Sequence, residues 1–94
     1  MQGTVDISSL LTRDSQKHGG RPCIRDTGTS ILAIVELFEM GVAPIDIQRL
    51  HFPDVPLAGI FAALAYWAAN PTEVERYFRE DADAHDALFG SPSE

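Results

Sequence analysis

The side chains that could bind a metal or attack a substrate are few: Cys23, and three histidines, His18, His51 and His85, which fall in different parts of the chain. His18 and Cys23 lie five residues apart across a Gly-Gly turn and could share a metal. A tetrahedral zinc site needs four filled positions, and the sequence offers no two further ligands, so no metal and no cofactor is expected. Cys23 as a nucleophile would need a base beside it; as a small residue in a half-buried strand it needs none. The backbone N–H groups of His18-Gly19-Gly20 could cradle an anion, but a tight turn accounts for them. No enzyme and no small-molecule substrate is predicted.

The remaining chemistry is that of charge. The net charge is −7. Residues 1–35 carry Arg13, Lys17, Arg21 and Arg25 against Asp6, Asp14 and Asp26, a net +1. Residues 36–70 carry Arg49 against four carboxylates, a net −3; residues 71–94 carry Arg76 and Arg79 against seven, a net −5. Phosphate affinity comes mainly from Lys and Arg, so DNA contact is expected only from Arg21, Arg25 and Arg49. The acidic C-terminal end reads as a solvated helix face or as a surface for a basic protein.

These residues are positioned by short elements. Val5-Asp6-Ile7 alternates and Leu10-Leu11-Thr12 follows, which predicts one or two short strands. Arg13 to Gly20 reads as a loop, and Pro22 to Arg25 as a second strand. A hairpin of this size is marginal alone, so another sheet or a second subunit is expected to support it. Helix 1 is predicted from about Ser30, its cap, to Met40, with Gly41 ending it. Its apolar residues are too many for one core-facing stripe, which again predicts a dimer. The interface would use Val5, Ile7, Leu10, Leu11, Ile24, Ile31 and Phe38.

Helix 2 is predicted from about Pro44 to His51, and helix 3 from about Leu57 to Ala69 after the turn Phe52 to Pro56. The exposed face of helix 3 is read as Pro56, Ala58, Gly59, Ala62, Ala63 and Tyr66, with no cation for reading bases. Asn70-Pro71-Thr72-Glu73 predicts the start of helix 4, with Asn70 as cap and Glu73 bonding back. Val74, Tyr77, Phe78, His85, Leu88 and Phe89 follow at helical spacing, and the tail from Gly90 is expected to fray.

The predicted fold is mainly α: short N-terminal β-strands, a three-helix, homeodomain-like helix-turn-helix bundle, then a C-terminal helix. Residues 1–29 form an arm, 30–70 the bundle and 71–94 the acidic helix and tail, all within one structural domain. The longest apolar run, Leu57 to Ala69, is thirteen residues, against the roughly 20 a membrane helix needs. One cysteine, no disulfide and no leader-like start predict a cytoplasmic protein.

Gly19-Gly20-Arg21-Pro22-Cys23-Ile24 resembles the Gly-Gly-Lys/Arg-Pro-x-Ile signature of a family of small bacterial helix-turn-helix proteins. That family, long carried as a domain of unknown function, is associated with VapB-type antitoxins encoded beside PIN-domain ribonuclease toxins. The likeness runs from about Val5 to Asp83. It includes Ile34 to Gly41, similar to the family's first helix, and Phe52-Pro53-Asp54-Val55, similar to its Tyr-Pro-x-Leu turn. Ala62 to Trp67 resembles its Ala-Ala-Leu-x-Tyr helix. Asp26-Thr27-Gly28-Thr29, Ala43-Pro44-Ile45 and Pro56 depart from the pattern, mostly in the part associated with DNA.

The resemblance implies a homodimer that neutralises a PIN-type ribonuclease toxin and regulates its own operon, with operator DNA as a further ligand. The toxin would be met by Arg76, Arg79, Tyr77, Phe78, Leu88 and Phe89, with an arginine entering the toxin's acidic metal site. The alternatives are a dimeric transcription regulator without a toxin, and a dimerisation or adaptor module that has lost DNA binding.

Overall fold

The computed structural model describes residues 3–16 and 18–90, without the His18 side chain. The expected fraying after Gly90 and the His18 ligand therefore lie outside the described residues. The chain is mainly helical, with a small antiparallel sheet ahead of the helices. Strands β1 (Leu11–Thr12), β2 (Cys23–Ile24) and β3 (Thr29–Ser30) lie in that order, with Leu11 opposite Ile24 and Cys23 opposite Ser30. The helices are α1 (Ile31–Glu39), α2 (Pro44–Asp46), α3 (Leu57–Ala69) and α4 (Pro71–Phe89).

Of the one or two strands predicted ahead of the loop, Leu11–Thr12 forms β1 and Val5-Asp6-Ile7 forms none. Asp6 caps a 3-10 turn over Ile7–Leu10, taking the Ser8 N–H at 3.0 Å and the Ser8 hydroxyl at 2.9 Å. An Asp followed by two serines satisfies the backbone locally and so competes with a ladder. The third strand, β3, was not foreseen. It forms because Thr27 closes the β2–β3 turn, donating to Ile24 O at 2.9 Å and accepting from Thr29 N at 3.0 Å.

Helix α1 starts where its cap predicts: the Ser30 hydroxyl accepts from Leu32 N at 3.1 Å. Pro44 opens α2 with no side-chain cap, as Ala43 dictates. The segment then widens into a π-helical turn over Ile47–His51, closed by Phe52 N donating to Ile47 O at 3.1 Å. This turn buries Ile47.

A single residue, Asn70, separates α3 from α4, and it does not cap as expected. Its N–H is already donated to Tyr66 O at 2.8 Å, and its side-chain amide to the same carbonyl at 3.1 Å. No N–H is left at Asn70 for Glu73 to reach back to, so the capping box is absent and the Glu73 carboxylate points elsewhere.

The core gathers Ile24, Ile31, Ile34, Val35, Ile47, Val55, Ile60, Ala63, Val74 and Tyr77. Helix α1 packs on α3, the π turn and β3, which buries Ile31, Leu32, Ile34 and Val35 within one chain and leaves Phe38 and Met40 exposed. Helix α3 also crosses β2. There Gly59 lets the backbone approach: a Cβ at that position would lie 2.8 Å from Ile24 Cγ2.

Candidate functional site

The arginines of the N-terminal segment are spent on the helices of their own chain. Arg13 leaves the end of β1 and reaches the junction of α3 and α4. Its guanidinium donates to Glu73 at 2.9 Å, to Tyr66 OH, and to Tyr77 OH at 3.5 Å. Tyr66 OH in turn donates to Glu73 Oε1 at 2.6 Å, and Tyr77 OH donates to Oε2. Glu73 is thus the shared acceptor of a cation and two phenols. Burial works against its charge, but the hydrogen bonds from Tyr66, Tyr77 and Arg13 outweigh it and hold the carboxyl at about 2. Burial, followed by the bond to Glu73, pushes the Tyr66 phenol up to about 12. The bonds to Tyr77 and Glu73 raise Arg13 above its ordinary value.

Arg21 clamps the middle of α4. It pairs with Asp81 at 2.8 Å and Glu80 at 3.1 Å, and its guanidinium stacks 4.7 Å from the Tyr77 ring centre. Burial opposes its charge, yet the bonds to Asp81 and Glu80 raise its pKa. The Arg21 side chain is only 19% exposed. Arg25 donates to Ser9 O at 2.5 Å and to Leu11 O at 3.4 Å, tying the 3-10 turn and β1 to β2. Arg49 pairs with Asp46 at 2.7 Å and stays largely in solvent. The three candidate DNA contacts are therefore not gathered on one face by any shared contact, and the first two already have structural work. Arg21→Ala is expected to cost about 1–2 kcal/mol, more than an exposed pair because two carboxylates and a ring share the cation. Thermal denaturation checks this.

The proposed dimer residues divide. Ile24 and Ile31 are buried at 2% and 0% exposure in their own chain, so they present no surface to a second copy. Ile24 lies under α3 at Gly59, and α1, which carries Ile31, packs on α3, the π turn and β3. Leu11 packs against the same core. Leu10 is half-buried, and Val5, Ile7 and Phe38 remain exposed, with Phe38 edge-on to Trp67.

The exposed face of α3 differs from the one expected. Gly59, Ala62 and Ala63 point inward. Leu57, Ala58, Phe61, Ala65, Ala68 and Ala69 point outward, and none can donate a side-chain hydrogen bond to a base edge. Direct readout requires such donors or acceptors.

Helix α4 has two unlike halves. In the first, Val74 and Tyr77 are buried and Phe78 is half-buried. From Arg79 to Phe89 every residue is exposed. Yet the apolar stripe continues: Phe78, Ala82, His85 and Phe89 follow at helical spacing, with the His85 and Phe89 rings 4.6 Å apart. Leu88 and Phe89 are 79% and 72% exposed. Around them stand Glu80, Asp81, Asp83 and Asp86, with no Lys or Arg between Glu80 and Phe89. Arg76 lies over the Tyr77 ring and 3.6 Å from Glu80. Arg79 makes no ion pair among the described residues.

Among the described residues no group of three or more His, Cys, Asp or Glu side chains is placed to hold a metal. A surface cleft of about 530 Å³ beside β2 is lined by Arg13, Asp14, Arg25, Asp26 and neighbours, a mixture of signs with Cys23 buried at its floor. No helix is long and apolar enough to cross a membrane. Sequence reasoning missed Arg13, Tyr66 and the true role of Glu73, since no local pattern marks residues that meet across more than fifty positions.

No curated protein and no solved structure matches the chain. A family model described as "Protein of unknown function (DUF433)" matches residues 11–67, from β1 almost to the end of α3. The match spans more than half of the sequence, and the chain belongs to the DUF433 family.

Proposed function

We propose that this chain is an antitoxin-like interaction protein whose distal α4 docks on a PIN-type ribonuclease and neutralises it. The observation that carries this reading is the exposed half-helix from Glu80 to Phe89, apolar along one stripe and acidic beside it. Such a segment is a poor helix on its own. Its apolar stripe has no packing surface in its own chain, and tertiary packing supplies most of a helix's stability. Its carboxylates also oppose the negative C-terminal end of the helix dipole, where cations would be favoured, and no basic residue stands in the last turn. A basic, apolar-lined surface would relieve both defects. An enzyme that cleaves RNA presents such a surface, because it must bind the phosphate backbone.

Leu88 and Phe89 would act as anchors, the carboxylates would speed encounter, and Arg79 would meet the ribonuclease's acidic metal site. The VapB-type resemblance of the Gly-Gly-Arg-Pro-Cys-Ile segment supports the same partner. Helices α1 to α3 keep a homeodomain-like helix-turn-helix order in this reading. Operator DNA is left out of it, because α3 exposes no base-reading side chain and Arg21 and Arg25 are engaged.

The test removes residues 82–94 and keeps the Arg21–Asp81 pair. Cutting after Asn70 instead would take Val74 and Tyr77 out of the core. The shortened chain is expected to keep its melting temperature within a few degrees. Its inhibition of a PIN-type ribonuclease should fall by about 100-fold or more in an RNA-cleavage assay. Full inhibition by the shortened chain would place the contact elsewhere, and no inhibition by the intact chain would end the antitoxin reading.

A further inference from the structure

We propose that the outward face of α3 is a homodimer interface in which two copies of the helix pack antiparallel about a two-fold axis. The face is formed by Leu57, Ala58, Phe61, Ala65, Ala68 and Ala69, and Leu57 and Phe61 are 38% and 49% exposed. No residue from Leu57 to Ala69 carries a charge. In a chain of net charge −7 this helix is a surface that two copies can bring together without opposing like charges. A basic partner gains no Coulomb attraction from it.

The order of sizes points to a second copy. The bulky residues lie in the first half of the face and the small ones in the second. In an antiparallel pair centred on Ala63, Phe61 faces Ala65 and Leu57 faces Ala69, each large side chain over a methyl, in both directions at once. A two-fold axis demands this reciprocity, and the close approach of backbones past alanine supplies the packing. The expected dimer interface on the N-terminal arm is different, since Ile24 and Ile31 are interior.

The contact is about 20 Å long for thirteen helical residues. A weak, micromolar equilibrium is expected of a contact confined to one helix face. The interface uses no residue of α4, so it stands or falls separately from the ribonuclease reading.

Sedimentation equilibrium of the intact chain from about 1 to 300 μM tests it. A monomer–dimer equilibrium is expected. Ala65→Glu and Phe61→Ser should each weaken it by about 30-fold or more with far-ultraviolet circular dichroism unchanged, as both sites face solvent in the monomer. A chain that stays monomeric throughout overturns the proposal. So does a dimer that survives both α3 variants.

Discussion

Gly59→Val is expected to destabilise the protein by about 3 kcal/mol, a large share of the 5–15 kcal/mol that holds a domain together. A Cβ at position 59 would stand 2.8 Å from Ile24 Cγ2 and 3.5 Å from Val55 Cγ1. Ile24 is 2% exposed and held in the central strand, so its methyl has nowhere to move. Valine adds two further methyl groups to the same gap. Gly59→Ala should be milder, about 1 kcal/mol, because alanine's better helix propensity offsets part of the clash. Urea denaturation followed by the fluorescence of the single tryptophan, Trp67, measures both. In an Ile24→Ala background the Gly59→Val penalty should shrink; equal penalties in the two backgrounds would show that the Ile24 contact is not the cause.

Glu73→Ala is expected to cost about 2–3 kcal/mol. It leaves the buried Tyr77 hydroxyl without its acceptor and Arg13 without its counter-ion. Glu73→Gln, which keeps a hydrogen-bond acceptor, should cost about half as much. The carboxyl also makes stability depend on pH. Its value falls from 4.5 to about 2 on folding. Above 4.5 both states are ionised and the contribution is complete. As the pH drops the unfolded chain takes up the proton first, so stability declines until the folded group protonates near 2. The loss over that window should be about 2 kcal/mol, less than the full shift implies because Arg13 is half exposed and screened by water. Denaturation curves at several pH values between 6 and 2 should show this slope in the native chain and a shallower one in Glu73→Gln. Parallel slopes would acquit the Glu73 carboxylate.

The helices were legible because their ends are written in neighbouring residues. Ser30 caps α1, Pro44 opens α2 and Pro71 opens α4. These are local effects, and a reading of adjacent residues captures them. The arginines were not legible in the same way. Arg21 finds Asp81 sixty positions away, and nothing around Arg21 distinguishes a cation that clamps a helix from one that waits for phosphate. The same holds for Glu73. It has the spacing of a capping box, but Asn70 has already given its N–H to α3. The excess apolar surface of α1 was correctly seen and wrongly assigned. Ile31 and Ile34 are buried within the chain, where α1 packs on α3, the π turn and β3. On α4 the stripe was visible, but only the structure shows that Val74 and Tyr77 are used and Leu88 and Phe89 are not.

That division of α4 sets a gradient of local opening. Amide hydrogens near Val74 and Tyr77 exchange only when the core opens. Those beyond Asp81 are held by single-helix hydrogen bonds with no tertiary packing behind them, and they open at little cost in free energy. A protease that needs an unwound stretch of chain therefore begins beyond the Arg21 clamp. Clipping there removes the acidic half-helix and leaves the sheet, α1, α3 and the Glu73 cluster standing. The lifetime of the acidic half-helix and the lifetime of the fold are therefore two separate quantities.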